Sequence, residues 1–267
     1  MRLLEGVARR TAGTDTELLT RLLLADIALD RRQFRAAGPE LRVLLREFEG
    51  RGERHAAAYA LVGLAACDLM SGATAGAVKR AAEALGWFEA AGDANGVLQS
   101  LITLSGCHLE RGEYEAAESV CVRGLGLVRE RSLAEYGAKF RRALGIAAFK
   151  RGRVEEAIRQ YEESLALARQ LGWGANERIT LRRLGEAYGA LGRLDLAAET
   201  LERCRGMFVT AGDSYGEGLT CYTLGELSVR RGRRAEALEN FRRCLELVTE
   251  PSWKDRAATR LRELSQP

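Results

Sequence analysis

A step of 40 residues runs through this sequence without an insertion. Leucine stands at 24, 64, 104, 144, 184 and 224, and alanine at 37, 77, 117, 157, 197 and 237. Glycine stands at 72, 112, 152, 192 and 232, with Arg32 in the first slot. A second glycine series at 52, 92, 172 and 212 keeps the same step and is broken by Ser132. Segments 80 residues apart, KRGRVEEAIRQY at 150–161 and RRGRRAEALENF at 230–241, are near copies. A fixed period of this length marks a small unit that cannot bury its apolar face alone, so neighbouring units must stack.

Each unit reads as two helices. In the fifth, Leu181, Leu184, Ala187 and Tyr188 follow the i, i+3, i+4 spacing of one helical face. Gly192 ends that helix, since glycine takes the left-handed conformation at a helix C-terminus without a Cβ clash. Leu194, Ala197, Ala198 and Leu201 mark the next helix, which runs on towards Gly212. Asp213 or Ser214 is expected to cap the helix after that, with Ser214 and Glu217 as a capping box, repeated at Ser132 with Glu135 and Thr14 with Glu17. The recurring alanine falls where two helices cross closely, because a larger side chain would push their axes apart.

These residues resemble the tetratricopeptide repeat family. Leu184-Gly185, Tyr188, Gly192, Ala197, Leu201 and Cys204 carry the pattern. Leu144-Gly145, Gly152, Ala157, Tyr161 and Ser164 match it again, as do Leu224-Gly225, Gly232, Ala237, Phe241 and Cys244. The 40-residue step exceeds the family's usual 34 and is similar to bacterial regulatory arrays and kinesin-light-chain-like scaffolds. The resemblance implies an all-α fold, a right-handed solenoid of about six helix-turn-helix hairpins over residues 14–250. Residues 1–13, with Leu3, Leu4 and Val7, would form an N-terminal cap segment. Residues 251–267, with Trp253, Ala257, Leu261 and Leu264 on one side, would form a C-terminal capping helix.

Composition narrows the function. A chain that is 46% hydrophobic with three prolines is not disordered. The net charge of +4 is a small difference between 41 basic and 37 acidic residues, so it does not point to a polyanion. Arginine and glutamate interleave, as in RQYEESLALARQ, and aromatics make up 6%, so no nucleic-acid partner is expected. No apolar run approaches the ~20 residues of a membrane helix, and MRLLEGVARR is a poor signal peptide, so a cytoplasmic protein without a membrane partner is expected. Six cysteines without a CxxC pair read as reduced thiols, and Cys67, Cys107, Cys204 and Cys244 fall on core positions of the repeat.

Catalytic chemistry finds few candidates. His55 lies in a polar turn and reads as a surface residue, while His108 takes the slot of Tyr188 and reads as packed within its hairpin. No phosphate-binding loop, nucleophile elbow or zinc motif occurs, so neither an enzyme nor a cofactor or metal site is expected.

The family resemblance implies instead that first helices line a concave, ligand-binding surface. One column of that surface runs Leu22, Val62, Ile102, Arg142, Arg182, Tyr222, and another Leu19, Tyr59, Gln99, Lys139, Ile179, Leu219. Two more run Asp30, Met70, Glu110, Lys150, Ala190, Arg230 and Leu29, Leu69, Leu109, Phe149, Gly189, Val229. The candidate groove residues are Tyr59, Ile102, Lys139, Arg142, Phe149, Lys150, Arg182, Glu186, Tyr222 and Arg230. They suit a protein or peptide partner bearing acidic groups or a free C-terminus, because the arginine fork binds carboxylates bidentately. The duller alternative pairs these arginines with Glu110, Glu186 and Glu226 and leaves nothing to bind. As a class, the reading is a non-enzymatic scaffold or adaptor. A ligand-sensing regulatory module is the alternative; such modules usually adjoin an effector domain, for which 267 residues of repeats leave no room.

Overall fold

The computed structural model describes residues 15–30 and 34–265. Thirteen helices and no strand occur among the described residues. In order they are α1 (Asp15–Asp30), α2 (Phe34–Gly50), α3 (Arg54–Met70), α4 (Thr74–Ala91), α5 (Ala94–Glu110), α6 (Tyr114–Arg131) and α7 (Ala134–Lys150). Then follow α8 (Val154–Gln170), α9 (Gly174–Ala190), α10 (Leu194–Thr210), α11 (Ser214–Arg230), α12 (Arg234–Leu247) and α13 (Pro251–Ser265). The expected N-terminal cap over 1–13, Thr14 of the first capping box and Arg32 lie outside the described residues.

The turn chemistry repeats as the glycines foretell. At the end of α9, Gly192 sits at φ +76° and the Arg193 amide donates to the Tyr188 carbonyl at 3.0 Å. That bond spans five residues and satisfies a carbonyl that the helix end would otherwise orphan. The same five-residue bond closes the turns at Gly112, Gly152 and Gly232, at 2.9 Å each.

Ser132 breaks the glycine series but not the geometry, since it holds the left-handed conformation at φ +56°. It therefore closes α6 and does not open α7 as the serine of a capping box. A side chain in that region costs roughly 1 kcal/mol, so Ser132→Gly is expected to stabilise the fold by about 1 kcal/mol in urea denaturation. The Ser214–Glu217 box is also absent. Asp213 caps α11, accepting from the Gly216 amide at 2.8 Å, and Glu217 turns away to bind Arg243 at 3.0 Å. With Asp213 as the cap one position earlier, the Glu217 amide that the box would have served donates to the Asp213 carbonyl at 3.0 Å.

The alanine column is buried without remainder at Ala77, Ala117, Ala157, Ala197 and Ala237. The glycine of each Leu-Gly pair has a steric reason of its own. A Cβ on Gly145 would lie 2.4 Å from the Tyr161 ring, on Gly185 2.6 Å from Leu201, and on Gly225 2.7 Å from Phe241. The large residue of the second helix thus seats directly on the backbone of the first. Of the four cysteines expected in the core, Cys107, Cys204 and Cys244 are buried, but Cys67 is half-buried. Its neighbour Gly38 offers no side chain to cover it, and its thiol reaches the Phe34 carbonyl at 3.7 Å.

Two compact units meet in sequence at Tyr136 and Gly137. The first is centred on clusters such as Leu18, Leu44, Phe48 and Ala57. The second is centred on Ile158, Tyr161, Leu184, Leu201 and Phe208. Within it the chain leaves α12 at Val248 in an extended conformation and α13 starts at Pro251. That last helix lays Ala257 and Trp253 onto Leu219, Cys221, Cys244 and Val248.

Candidate functional site

The first helices of the second unit, α7, α9 and α11, carry most of the candidate residues. Arg142 on α7 and Arg182 on α9 occupy equivalent positions one repeat apart. Arg182 is 8% exposed; its side chain makes no hydrogen bond or ion pair among the described residues, and the nearby charge of Glu186 favours its protonated form. Arg142 donates to the Asn176 amide oxygen on α9 at 2.6 Å and has no carboxylate partner. Burial pulls both guanidinium groups from 12.5 down to about 10, and the charge of Arg183 presses on each in the same direction.

The carboxylates that could have neutralised this pair are engaged elsewhere. Glu186 binds Arg183 at 3.1 Å, one helical turn away. Glu226 binds Arg260 on α13 at 2.5 Å. Glu110 belongs to the first unit and is exposed. Neither Arg142 nor Arg182 is in an ion pair with these carboxylates, although the charge of Glu186 still favours protonated Arg182. Tyr161 lies beside both; burial pushes its hydroxyl up, and the charges of Arg183, Arg182 and Arg142 pull it back.

Other candidates have structural duties. Arg230 reaches from α11 to the Gly189 carbonyl of α9 at 2.5 Å, tying consecutive first helices together. Tyr222 packs edge-on against Phe241 and Trp253, with centroids 5.5 and 5.2 Å away. Phe149 is half-buried against the core of the second unit. Lys139 is half-buried and Lys150 is exposed.

In the first unit Ile102 is half-buried, and Tyr59 belongs to a polar knot. Its hydroxyl donates to Asp93 at 2.7 Å, and His55 meets the same carboxylate oxygen at 2.8 Å. The other oxygen of Asp93 caps α5 through the Gly96 amide at 3.1 Å. Burial opposes ionisation of Asp93, but the bonds from Tyr59, Gly96 and His55 outweigh it and hold the carboxyl below its usual range. His55 is on the surface as expected, though bonded. His108 is packed within its hairpin, its Nδ1 2.7 Å from Glu113.

Periodicity places Arg142 and Arg182 in one column but does not reveal Asn176 or Tyr161 as their neighbours. Asn176 lies in the turn of α9 preceding the column, and Tyr161 reads as core. Among the described residues, no group of three or more histidine, cysteine, aspartate or glutamate side chains is placed to hold a metal ion. Nor is any described helix long and apolar enough to cross a membrane.

Residues 138–208 match the family model described as tetratricopeptide repeat. No curated protein matches the chain by sequence. Among solved structures, a Rap protein complexed with competence and sporulation factor is similar at a TM-score of 0.75 and 14% identity, over 98% of this chain and 78% of that one. BtubC (BKLC) from P. vanneervenii aligns at 0.61 and 20% identity, over 92% and 93% of the two chains. A signal transduction ATPase with numerous domains from Pyrococcus horikoshii, which has a tetratricopeptide repeat sensor, aligns at 0.69 and 16% identity. That alignment takes in 98% of this chain but 40% of the ATPase. Residues 138–208 thus carry tetratricopeptide repeats, and the chain as a whole shares the fold of tetratricopeptide repeat proteins.

Proposed function

We propose that the chain is a non-enzymatic protein-interaction module, and that the first-helix face of its second unit binds a peptide carrying an acidic group seated on Arg142 and Arg182. The observation that carries this reading is Arg182, a cation 8% exposed whose side chain makes no hydrogen bond or ion pair and feels only the charge of Glu186, which is itself bonded to Arg183. A desolvated charge is costly unless paired, so a site of this kind favours an incoming anion. Lys150 adds an exposed cation on α7, and the half-buried Phe149 one residue earlier offers apolar surface to the rest of a peptide. The Rap protein of similar fold, crystallised with a factor, is consistent with a module that receives a ligand.

The test is fluorescence anisotropy with a labelled peptide ending in two glutamates and a free carboxylate. Each charge-assisted hydrogen bond is worth roughly 1.5–3 kcal/mol. Arg142→Glu/Arg182→Glu is therefore expected to weaken binding at least about tenfold while circular dichroism shows the helices intact. Unchanged affinity in that variant would discard the proposal.

A regulatory role shares the same site. Arg142 already links α7 to α9 through Asn176, so an anion held by both arginines would add a second link between the two hairpins. A sensor is then distinguished from a passive scaffold by a change in hydrogen exchange at α7 and α9 when the peptide binds.

A further inference from the structure

Consecutive second helices leave a groove between them, floored by the start of the first helix that lies between. Within each unit the occupant of that groove changes from repeat to repeat. Over α3 it is Trp87 of α4, packed against a cluster that includes Phe48 and Ala57. Over α9 it is Glu177, which accepts from Arg169 at 2.9 Å and from Arg203 at 3.4 Å. Over α11 it is Glu217, which accepts from Arg243 at 3.0 Å. The last two grooves share a glutamate on the floor and an arginine 26 residues further on.

Over α5 that pair is broken. Arg123 stands one and two periods of 40 before the places that lead to Arg203 and Arg243, but 26 residues ahead of it the chain has Val97, 7% exposed, where they have a glutamate. Arg123 bridges instead to Glu89 on α4, and both partners of that bridge are about half exposed. Between α4 and α6 there remains a cleft of about 350 Å³. Phe88, Val97 and Leu127 give it an apolar lining. Glu89 and Arg123 stand at one end, and Glu130 and Arg131 lie roughly 10–12 Å further along α6.

The walls are preformed. The Phe88 ring presses on the bare backbone of Gly96, where a Cβ would come within 2.2 Å, and its centroid lies 4.7 Å from that of Tyr59. Gly126 leaves the α6 backbone bare on the cleft side, and a Cβ there would meet nothing within 4 Å. Glycine inside a helix is destabilising relative to alanine, and no described residue packs against Gly126 closely enough to require it. The volume falls at the small end of the range of small-molecule sites, roughly 300–1,000 Å³.

The later repeats show what their arginine takes in this place: a carboxylate rising from an otherwise packed floor. In the third repeat the chain supplies the apolar floor and the arginine but not that carboxylate. A guanidinium has five donors, so the bridge to Glu89 leaves donors over, and a bridge exposed on both sides is cheaply rearranged. We infer that this cleft binds a small amphipathic carboxylate, an alkyl or aryl chain ending in one carboxylate. Its apolar body lies on Phe88, Val97 and Leu127, and its carboxylate meets Arg123. The ligand thereby brings to the third repeat what Glu177 and Glu217 bring to later ones. An alkylammonium would have to displace Arg123 from Glu89 or turn to Glu130, which is exposed and solvated. This site lies in the first unit and does not depend on the acidic-peptide reading of the second.

The experiment is titration of the isotope-labelled full chain, followed by nuclear magnetic resonance at the amides of Gly92, Val97 and Gly126. The probes are octanoate, octanol, octylammonium and a short peptide ending in leucine with a free carboxylate. Octanoate is expected to shift those amides saturably and to bind about fivefold more tightly than octanol, the factor that a partly exposed ion pair supplies. Arg123→Gln is expected to bring octanoate down to the level of octanol. Val97→Glu, which restores the floor carboxylate of the later repeats, is expected to abolish the shifts. Gly126→Leu, which puts a side chain into open space, is expected to abolish them as well and serves where Val97→Glu fails to fold by circular dichroism. Octanol or octylammonium binding as well as octanoate would overturn the inference, because the carboxylate would then be idle. The leucine peptide binding more tightly than octanoate would overturn it in favour of a chain terminus. Shifts unchanged in Gly126→Leu would overturn it by placing the ligand elsewhere, as would the absence of saturable shifts with every probe.

Discussion

Tyr161→Ala is expected to destabilise the second unit by about 3–5 kcal/mol, the usual loss when a large buried aromatic side chain is cut to a methyl. Tyr161 is 1% exposed and stands among the largest fully buried side chains of the chain. Its ring lies on the bare backbone of Gly145, where even a Cβ would come within 2.4 Å. Gly145→Ala alone is expected to cost about 1–3 kcal/mol by overpacking. The pair supplies a sharper check than either variant alone. In the Tyr161→Ala background the added methyl has room, so Gly145→Ala should cost far less there, and the double-mutant cycle should show strong coupling. Urea denaturation followed by circular dichroism measures all four corners. Additive losses would show that Tyr161 does not hold the helix crossing.

Arg182→Met is expected to do the reverse and stabilise the protein. The guanidinium falls from 12.5 to about 10 because burial penalises its charged form. A folded-state value below the unfolded one means that the unfolded chain holds the proton more firmly. The penalty is therefore present at every pH below about 10 and is relieved only as pH climbs from there towards 12.5. At pH 7 it is present in full, and a fall of that size corresponds to about 3 kcal/mol. Methionine keeps much of the apolar stem while removing the charge, so a gain of about 1–3 kcal/mol is expected in urea at pH 7. A variant that is more stable and yet fails to bind its anion is the signature of a residue kept for function. A destabilised Arg182→Met would mean that the guanidinium is structurally satisfied and would remove the main support for the site.

Much of the fold was legible in the repeat. The glycine series predicted left-handed turns, and nine glycines adopt them. The alanine series predicted close crossings, and those alanines are buried. Capping was read less well at Ser132 and at Ser214. At both, a serine–glutamate spacing was present, but a neighbouring residue or a helix end had already claimed the position.

The site was half legible. Register placed Arg142 and Arg182 in one column, yet it could not tell a solvated arginine from a desolvated one. Nor could it tell that Glu186 would turn to Arg183 and Glu226 to Arg260. For Tyr222 and Arg230, the same register gave the position but not their employment in packing against Trp253 and bonding to Gly189.

The sequence by itself therefore determined the hairpin, its turn, its crossing residue and its period, because each depends on contacts within one unit of 40 residues. The tertiary structure alone decided which charges are answered and which are not. Ion pairing depends on rotamers and on neighbours up to a whole repeat away, such as Asn176, 34 residues beyond Arg142. A local pattern fixes where a side chain starts along a helix. Only packed neighbours fix what its far end can reach and how much water is left around it.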